Sequence, residues 1–286
     1  MGKIKSILTV IVPPVFIILY RNYFFKPAIK ENSPKKRNKN EYWDGNFDSW
    51  SSAEKLCKGY DSENIILKCF ESIQQVANGK AVYERDSVLF DKKEYSIGII
   101  ASLFLVANKC DNKLAVLDFG GSLGTTYFQN KEFLTYFSSC SWTIVEQEKF
   151  YQLGKKHFEN DQLQFVETIQ DCLLKKSPNL FLVSSSLQYI PSPKEILNQI
   201  NNSKTRFVVF DRLPFSESEN ILTVQTVPPS IYEASYPCWI FNFEWLLSNL
   251  PNYKVLFDFP SFCDADQVIS DGLLVQWKGV TLELIQ

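Results

Sequence analysis

Residues 114–126 read Leu-Ala-Val-Leu-Asp-Phe-Gly-Gly-Ser-Leu-Gly-Thr-Thr, and the expected fold follows from them. Leu114–Leu117 is an unbroken apolar run, the pattern of a strand buried on both faces of a parallel sheet. Asp118 closes the run, and glycines follow at 120, 121 and 124. Thr125 and Thr126 are suited to capping a helix that carries Tyr127, Phe128 and Phe133 inward. Strand, acid, glycine turn and helix, in that order, make a mononucleotide-binding corner. Glycine lets the backbone approach a ligand closely, and the first turn of a helix offers N–H groups with no partner inside the helix.

Spacing separates two readings of this corner. A dinucleotide-binding turn has the form Gly-x-Gly-x-x-Gly. Aligned on Gly121 and Gly124, its first glycine falls on Phe119. The pattern Asp/Glu-x-Gly-x-Gly-x-Gly fits better: Asp118, Gly120 and Gly124 match, and Ser122 replaces the middle glycine. This resembles motif I of class I S-adenosylmethionine-dependent methyltransferases. The run Asp-Phe-Gly-Gly-Ser-Leu-Gly at 118–124, with Phe-Asp-Arg-Leu-Pro-Phe at 210–215, looks more narrowly like a methyltransferase family encoded near bacterial surface-polysaccharide genes. The resemblance covers residues 41–286.

Charge is unevenly spread. Residues 1–40 hold nine Lys/Arg and one acid, and the rest holds 21 basic and 31 acidic residues. The acidic body is a poor partner for phosphate backbones, so no nucleic-acid partner is expected. The seven cysteines (57, 69, 110, 140, 172, 238 and 263) form no CxxC pair, and His157 is the sole histidine. These are read as reduced thiols and a solvated helix residue, with no metal site.

The basic arm borders an apolar run at residues 7–20. Fourteen helical residues reach ~21 Å, short of a ~30 Å hydrocarbon core, and Pro13-Pro14 disfavours an unbroken helix. Residues 1–30 therefore read as a monotopic segment that associates with the cytoplasmic membrane surface. An apolar helix packed on the domain and a full span over 4–25 are the alternatives. Residues 31–40 read as a polar linker.

The remaining chain, 41–286, reads as one doubly wound, Rossmann-like α/β domain with a seven-stranded, mostly parallel sheet and an N-terminal helical cap over 41–108. Ser51 or Ser52 is expected to cap a first helix with Glu54 in its first turn, and Ile65–Val76 to form an amphipathic helix. Tyr83-Glu84-Arg85-Asp86 reads as a solvated turn, or as a segment facing the cleft if the resemblance holds. Ser96–Asn108 is an apolar helix. Strands follow at 114–117, 142–146, 164–167, 180–183 and 206–210, the last ending at Asp211-Arg212. Residues 216–237 read as an irregular loop of the kind that often covers a substrate. Two further strands, at 253–259 and 272–277, close the chain as a reversed pair of the kind methyltransferases have.

The resemblance implies S-adenosyl-L-methionine as cofactor. Asp118, Gly120, Gly121 and Gly124 would hold its methionine end and Glu146, after the second strand, its ribose. A carboxylate suits a pair of hydroxyls because it accepts hydrogen bonds and donates none. Gln147 and Phe150 would border the adenine. Gln188, at the tip after 180–183, joins the cofactor contacts, and Tyr189, Asp211 and Arg212 are the candidate catalytic residues. The acceptor implied is a small molecule or a glycan, including a lipid-linked glycan precursor. A non-catalytic scaffold of the same fold and an NAD-dependent sugar-modifying oxidoreductase are the alternatives.

Overall fold

The computed structural model describes residues 43–57, 62–227, 234–269 and 272–285. The expected arm at 1–30, the linker and Pro228-Pro229 lie outside the described residues. The first half alternates strand and helix: β4 (Lys113–Phe119), α4 (Thr125–Leu134), β5 (Ser139–Val145), α5 (Glu148–His157), β6 (Leu163–Val166), α6 (Ile169–Lys175) and β7 (Leu180–Ser184). A 3-10 turn (Leu187–Tyr189), α7 (Pro193–Ser203) and β8 (Phe207–Ser216) continue it. After β9 (Ile221–Thr226), β10 (Ser235–Asn242) and α8 (Phe243–Ser248) come β11 (Tyr253–Pro260), β12 (Gln267–Val268) and β13 (Leu274–Leu284).

The sheet runs β6-β5-β4-β7-β8-β13-β11 across its centre. From β6 to β8 every pairing is parallel; β13 is antiparallel to both β8 and β11. The expected seven strands and reversed pair are present within an eleven-stranded sheet of the described residues, which β10, parallel to the end of β8, and β9 extend further. Helices cover both faces. In β4, Leu114 and Val116 enter a core with Leu103 and Tyr127, while Leu117 enters the opposite one with Leu197 and Ile200. β7 and β8 alternate likewise: Leu180, Leu182, Phe207 and Val209 on one side, Phe181, Val183, Val208 and Phe210 on the other. Strands buried on both faces read as continuous apolar runs, which is why 114–117 and 180–183 were legible.

Several boundaries depart from expectation. The described residues of 216–237 do not form an irregular loop. β9 and β10 pair antiparallel from Ser235↔Thr226 to Ile240↔Ile221, and β1 (Trp43–Asp44) pairs with β9. Leu222, Val224, Cys238 and Ile240 are buried. That alternation in β9 is short, and polar residues at 216–220 and Pro237 obscure it. The N-terminal region is not purely helical either: between α2 (Ser62–Ala77) and α3 (Ile97–Lys109), β2 (Tyr83–Arg85) and β3 (Val88–Phe90) form a separate hairpin. Ser49, not Ser51 or Ser52, caps α1 (Trp50–Glu54), because its hydroxyl is the one placed to accept from the Ser52 N–H. Glu54 is the last residue of α1, not part of its first turn.

β8 does not stop at Phe210. It pairs with β13 through Phe215, but Phe210 faces Val280 and Leu213 faces Lys278, so Asp211 and Arg212 together oppose Gly279 alone. This is a β-bulge, with Arg212 in a left-handed conformation at φ 55°. Asp211-Arg212 is thus inside a strand rather than at its tip.

Candidate functional site

The two halves of the sheet diverge between β4 and β7, so the crevice beyond their carboxyl ends is the topological switch point, where open α/β sheets bind ligands. The glycine turn leaves β4 on one side and Ser184–Tyr189 leaves β7 on the other. The Ser186 hydroxyl closes the space between them by donating to the Phe119 carbonyl at 2.7 Å.

In the turn, Gly120, Ser122 and Gly124 have φ values of 70°, 53° and 106°. The three positions of the Gly-x-Gly-x-Gly pattern are all left-handed, and the middle one is a serine held where glycine is at ease, at a cost of order 1–3 kcal/mol. A Cβ on Gly120 would stand 2.5 Å from that of Ser186, and one on Gly121 2.5 Å from Asp118 Oδ2. The helix cap is Gly124, with no side-chain hydrogen bond, rather than Thr125 or Thr126; the Thr125 hydroxyl instead donates to Glu84.

Asp118 is fully buried beneath the turn. The Trp142 indole donates to its Oδ2 at 2.9 Å, and Oδ1 has no partner among the described residues. Burial pushes its carboxyl up to about 7. Glu146, one residue beyond β5, accepts from the Ser122 N–H at 3.0 Å through one oxygen and from the Gln147 N–H at 2.9 Å through the other. These two bonds orient the carboxylate, leave a lone pair on each oxygen, and tie the second strand to the glycine turn. Burial raises the Glu146 pKa. Phe150 is a core residue, while Gln147 is exposed.

The bulge sends its two residues in different directions. Asp211 is buried and accepts from Ser184 at 3.0 Å and from Ser96, the N-cap of α3, at 3.4 Å. Burial pushes it up to about 6. Arg212 does not pair with Asp211. It donates to Asp264 at 2.9 Å and to Asp86, past the end of β2, at 2.9 Å. Burial alone would lower the Arg212 pKa; the two facing carboxylates hold it well above its ordinary value. Gln188 is buried, donates to Ser185 at 3.2 Å and to the Arg212 carbonyl at 3.4 Å, and leaves Oε1 unpartnered among the described residues. The Tyr189 hydroxyl donates to Gln225 at 3.0 Å, its ring stands edge-on to Tyr236, and burial raises its pKa well above the ordinary range.

The structure thus brings Asp118, Gly120, Gly121, Gly124 and Glu146 together at one turn, and Gln188, Tyr189, Asp211 and Arg212 along the facing wall. Sequence reasoning did not select Glu84, Ser96, Ser184 or Asp264. The cluster Tyr83-Glu84-Arg85-Asp86 was the available signal, and Tyr83 and Glu84 are buried rather than solvated. Beyond the 3-10 turn lies a separate groove of about 360 Å³, lined by Trp239, Phe241, Trp245, Asn198, Asn220 and Glu195 among others. The Trp239 indole donates to the Ile190 carbonyl at 3.1 Å, setting this groove against the turn that carries Gln188 and Tyr189.

No protein-family model matches the chain, and no curated protein matches it. Solved structures similar to it include the N-terminal domain of EvdMO1 with S-adenosylhomocysteine bound, at 11% identity and TM-score 0.44, covering 67% of this chain and 82% of that one. The glycopeptide N-methyltransferase MtfA complexed with sinefungin has 11% identity and TM-score 0.44, covering 65% and 87%. The [4+2]-cyclase SpnF has 10% identity and TM-score 0.45, covering 78% and 94%. Likeness at this level fixes no chemistry for this chain.

Proposed function

We propose that the protein is an S-adenosyl-L-methionine-dependent methyltransferase. The observation that carries this reading is Glu146, a carboxylate held by the backbone of the glycine turn at the switch point with a free lone pair on each oxygen. That arrangement suits a vicinal diol such as a ribose. The glycine turn and the orphaned Asp118 Oδ1 beneath it fit the amino-acid end of the same cofactor. When bound, the cofactor supplies a methyl group on a positively charged sulfur. The chain's own part is to orient, and positioning alone can contribute ~7–11 kcal/mol to catalysis.

Along the facing wall, Asp211 has a carboxyl at about 6 held by Ser184 and Ser96, a group able to accept a proton near neutral pH. Arg212 and Tyr189 would shape the acceptor side. A glycan acceptor is supported by the neighbouring groove, whose lining combines the indoles of Trp239 and Trp245 with the amides of Asn198 and Asn220, apolar surface with planar hydrogen-bonding groups. Attachment to the cytoplasmic face of the membrane through residues 1–30 is supported by their basic, apolar sequence.

Calorimetry tests the reading. S-adenosylhomocysteine should bind and NAD should not. Glu146→Ala should weaken S-adenosylhomocysteine by roughly 10- to 150-fold, the loss of charge-assisted hydrogen bonds. Unchanged affinity in a folded variant would remove Glu146 from the site. Binding without turnover on any glycan would favour the scaffold reading.

A further inference from the structure

Glu84 lies on β2, outside the main sheet, yet only 4% of it is exposed. One carboxylate oxygen accepts from the Thr125 hydroxyl, at the first residue of α4, and the other from the Ser87 N–H at 3.2 Å. Each oxygen keeps a lone pair. Glu84 forms no ion pair with a lysine or arginine among the described residues, nor do Asp118 and Glu146.

These three carboxylates surround one turn. Cys69, on α2, touches Ser87 at 3.1 Å; burial raises its pKa, and Glu84 and Glu146 add to that, so both acids lie in the neighbourhood of this thiol. Asp118 lies against Gly121 with Oδ1 unpartnered and the whole residue buried. Removing charge from water is costly without a counter-charge, and the α4 N-terminus compensates only part of it. Burial pushes both Glu84 and Asp118 up to about 7, so near neutral pH a cation brought beside them would take the place of a proton.

Among the three, Asp118 lies under the turn and is bonded to Trp142, and Glu146 is held on the β5 side. Glu84 alone reaches the start of α4 from outside the sheet. We propose that Glu84 receives the ammonium group of the cofactor's amino-acid end, as a positioning residue supplied by the hairpin; this rests on the methyltransferase reading.

The test is calorimetry on the full-length protein with two ligands, S-adenosylhomocysteine, which carries the ammonium, and 5′-methylthioadenosine, which lacks the amino-acid end. Glu84→Gln keeps the shape and removes the charge. The expected result is a loss of about tenfold or more in S-adenosylhomocysteine affinity with 5′-methylthioadenosine unchanged. A merely structural Glu84 would weaken both ligands alike or neither, and either result overturns the proposal. If the wild-type protein binds neither ligand, the methyltransferase reading fails with it. Should Glu84→Gln not fold, Glu84→Asp retains the charge on a shorter arm. A smaller loss confined to S-adenosylhomocysteine supports the proposal, and a loss shared by both ligands overturns it.

Discussion

Asp118 is an acid with no exposed surface, one indole donor and one orphaned oxygen. Its carboxyl at about 7 stands well above the ordinary value near 4, so the folded chain holds a proton there that the unfolded chain releases at lower pH. The stabilisation this provides is complete below pH ~4 and is lost as pH rises to ~7, at up to ~1.4 kcal/mol per unit between the two pKa values. Asp118→Asn keeps an oxygen for Trp142 and is neutral throughout. It should therefore lose less stability than the wild type between pH 5 and pH 8, measured by urea unfolding. Equal losses would mean that Asp118 is already ionised in the folded protein.

The β2–β3 hairpin is six paired residues, too little to hold its shape alone. It is held by Glu84 on α4 and by Asp86 on Arg212, while Arg212 also grips Asp264. The bulge in β8 therefore connects the sheet to the hairpin and to the segment before β12. Asp86 is half exposed, so its share of stability is at most ~1 kcal/mol; Asp264 is more enclosed and leaves a less solvated charge if its partner is removed. Arg212→Ala should raise amide hydrogen exchange over residues 83–90 and around 264 by about tenfold or more while leaving β4 and β7 protected. Uniform exchange across the sheet, or no change at the hairpin, would show that Arg212 does not tether these elements.

Residues 40–286 form one unit with cores on both faces of the sheet. Among the described residues no helix is long and apolar enough to cross a membrane. A protein lacking residues 1–40 should unfold cooperatively and bind S-adenosylhomocysteine as the full chain does, whereas only the full chain should sediment with anionic lipid vesicles in high salt. Failure of the shorter protein to fold would make the arm part of the core.

The sequence alone determined what depends on neighbours along the chain. Leu114–Leu117 and Leu180–Val183 are apolar throughout because strands covered on both faces have no solvent side, and the acid–glycine order at 118–124 marks the turn between strand and helix. Those local patterns were enough for the alternation of strands and helices, the reversed closing pair and the position of Glu146 after the second strand. What tertiary structure decided depends on register. Asp211 and Arg212 read as a strand tip because nothing in Phe-Asp-Arg-Leu-Pro-Phe announces that two residues will face Gly279 alone. That mismatch turns Asp211 toward Ser184 and Ser96 and Arg212 toward Asp86 and Asp264. Glu84 was legible only as part of a charged cluster, for a related reason: it meets Thr125, 41 positions along the chain, only because the hairpin folds onto α4. Ser122 shows the two levels at one position. Its side chain breaks the glycine pattern, but the turn, anchored by its N–H on Glu146, holds the backbone left-handed all the same.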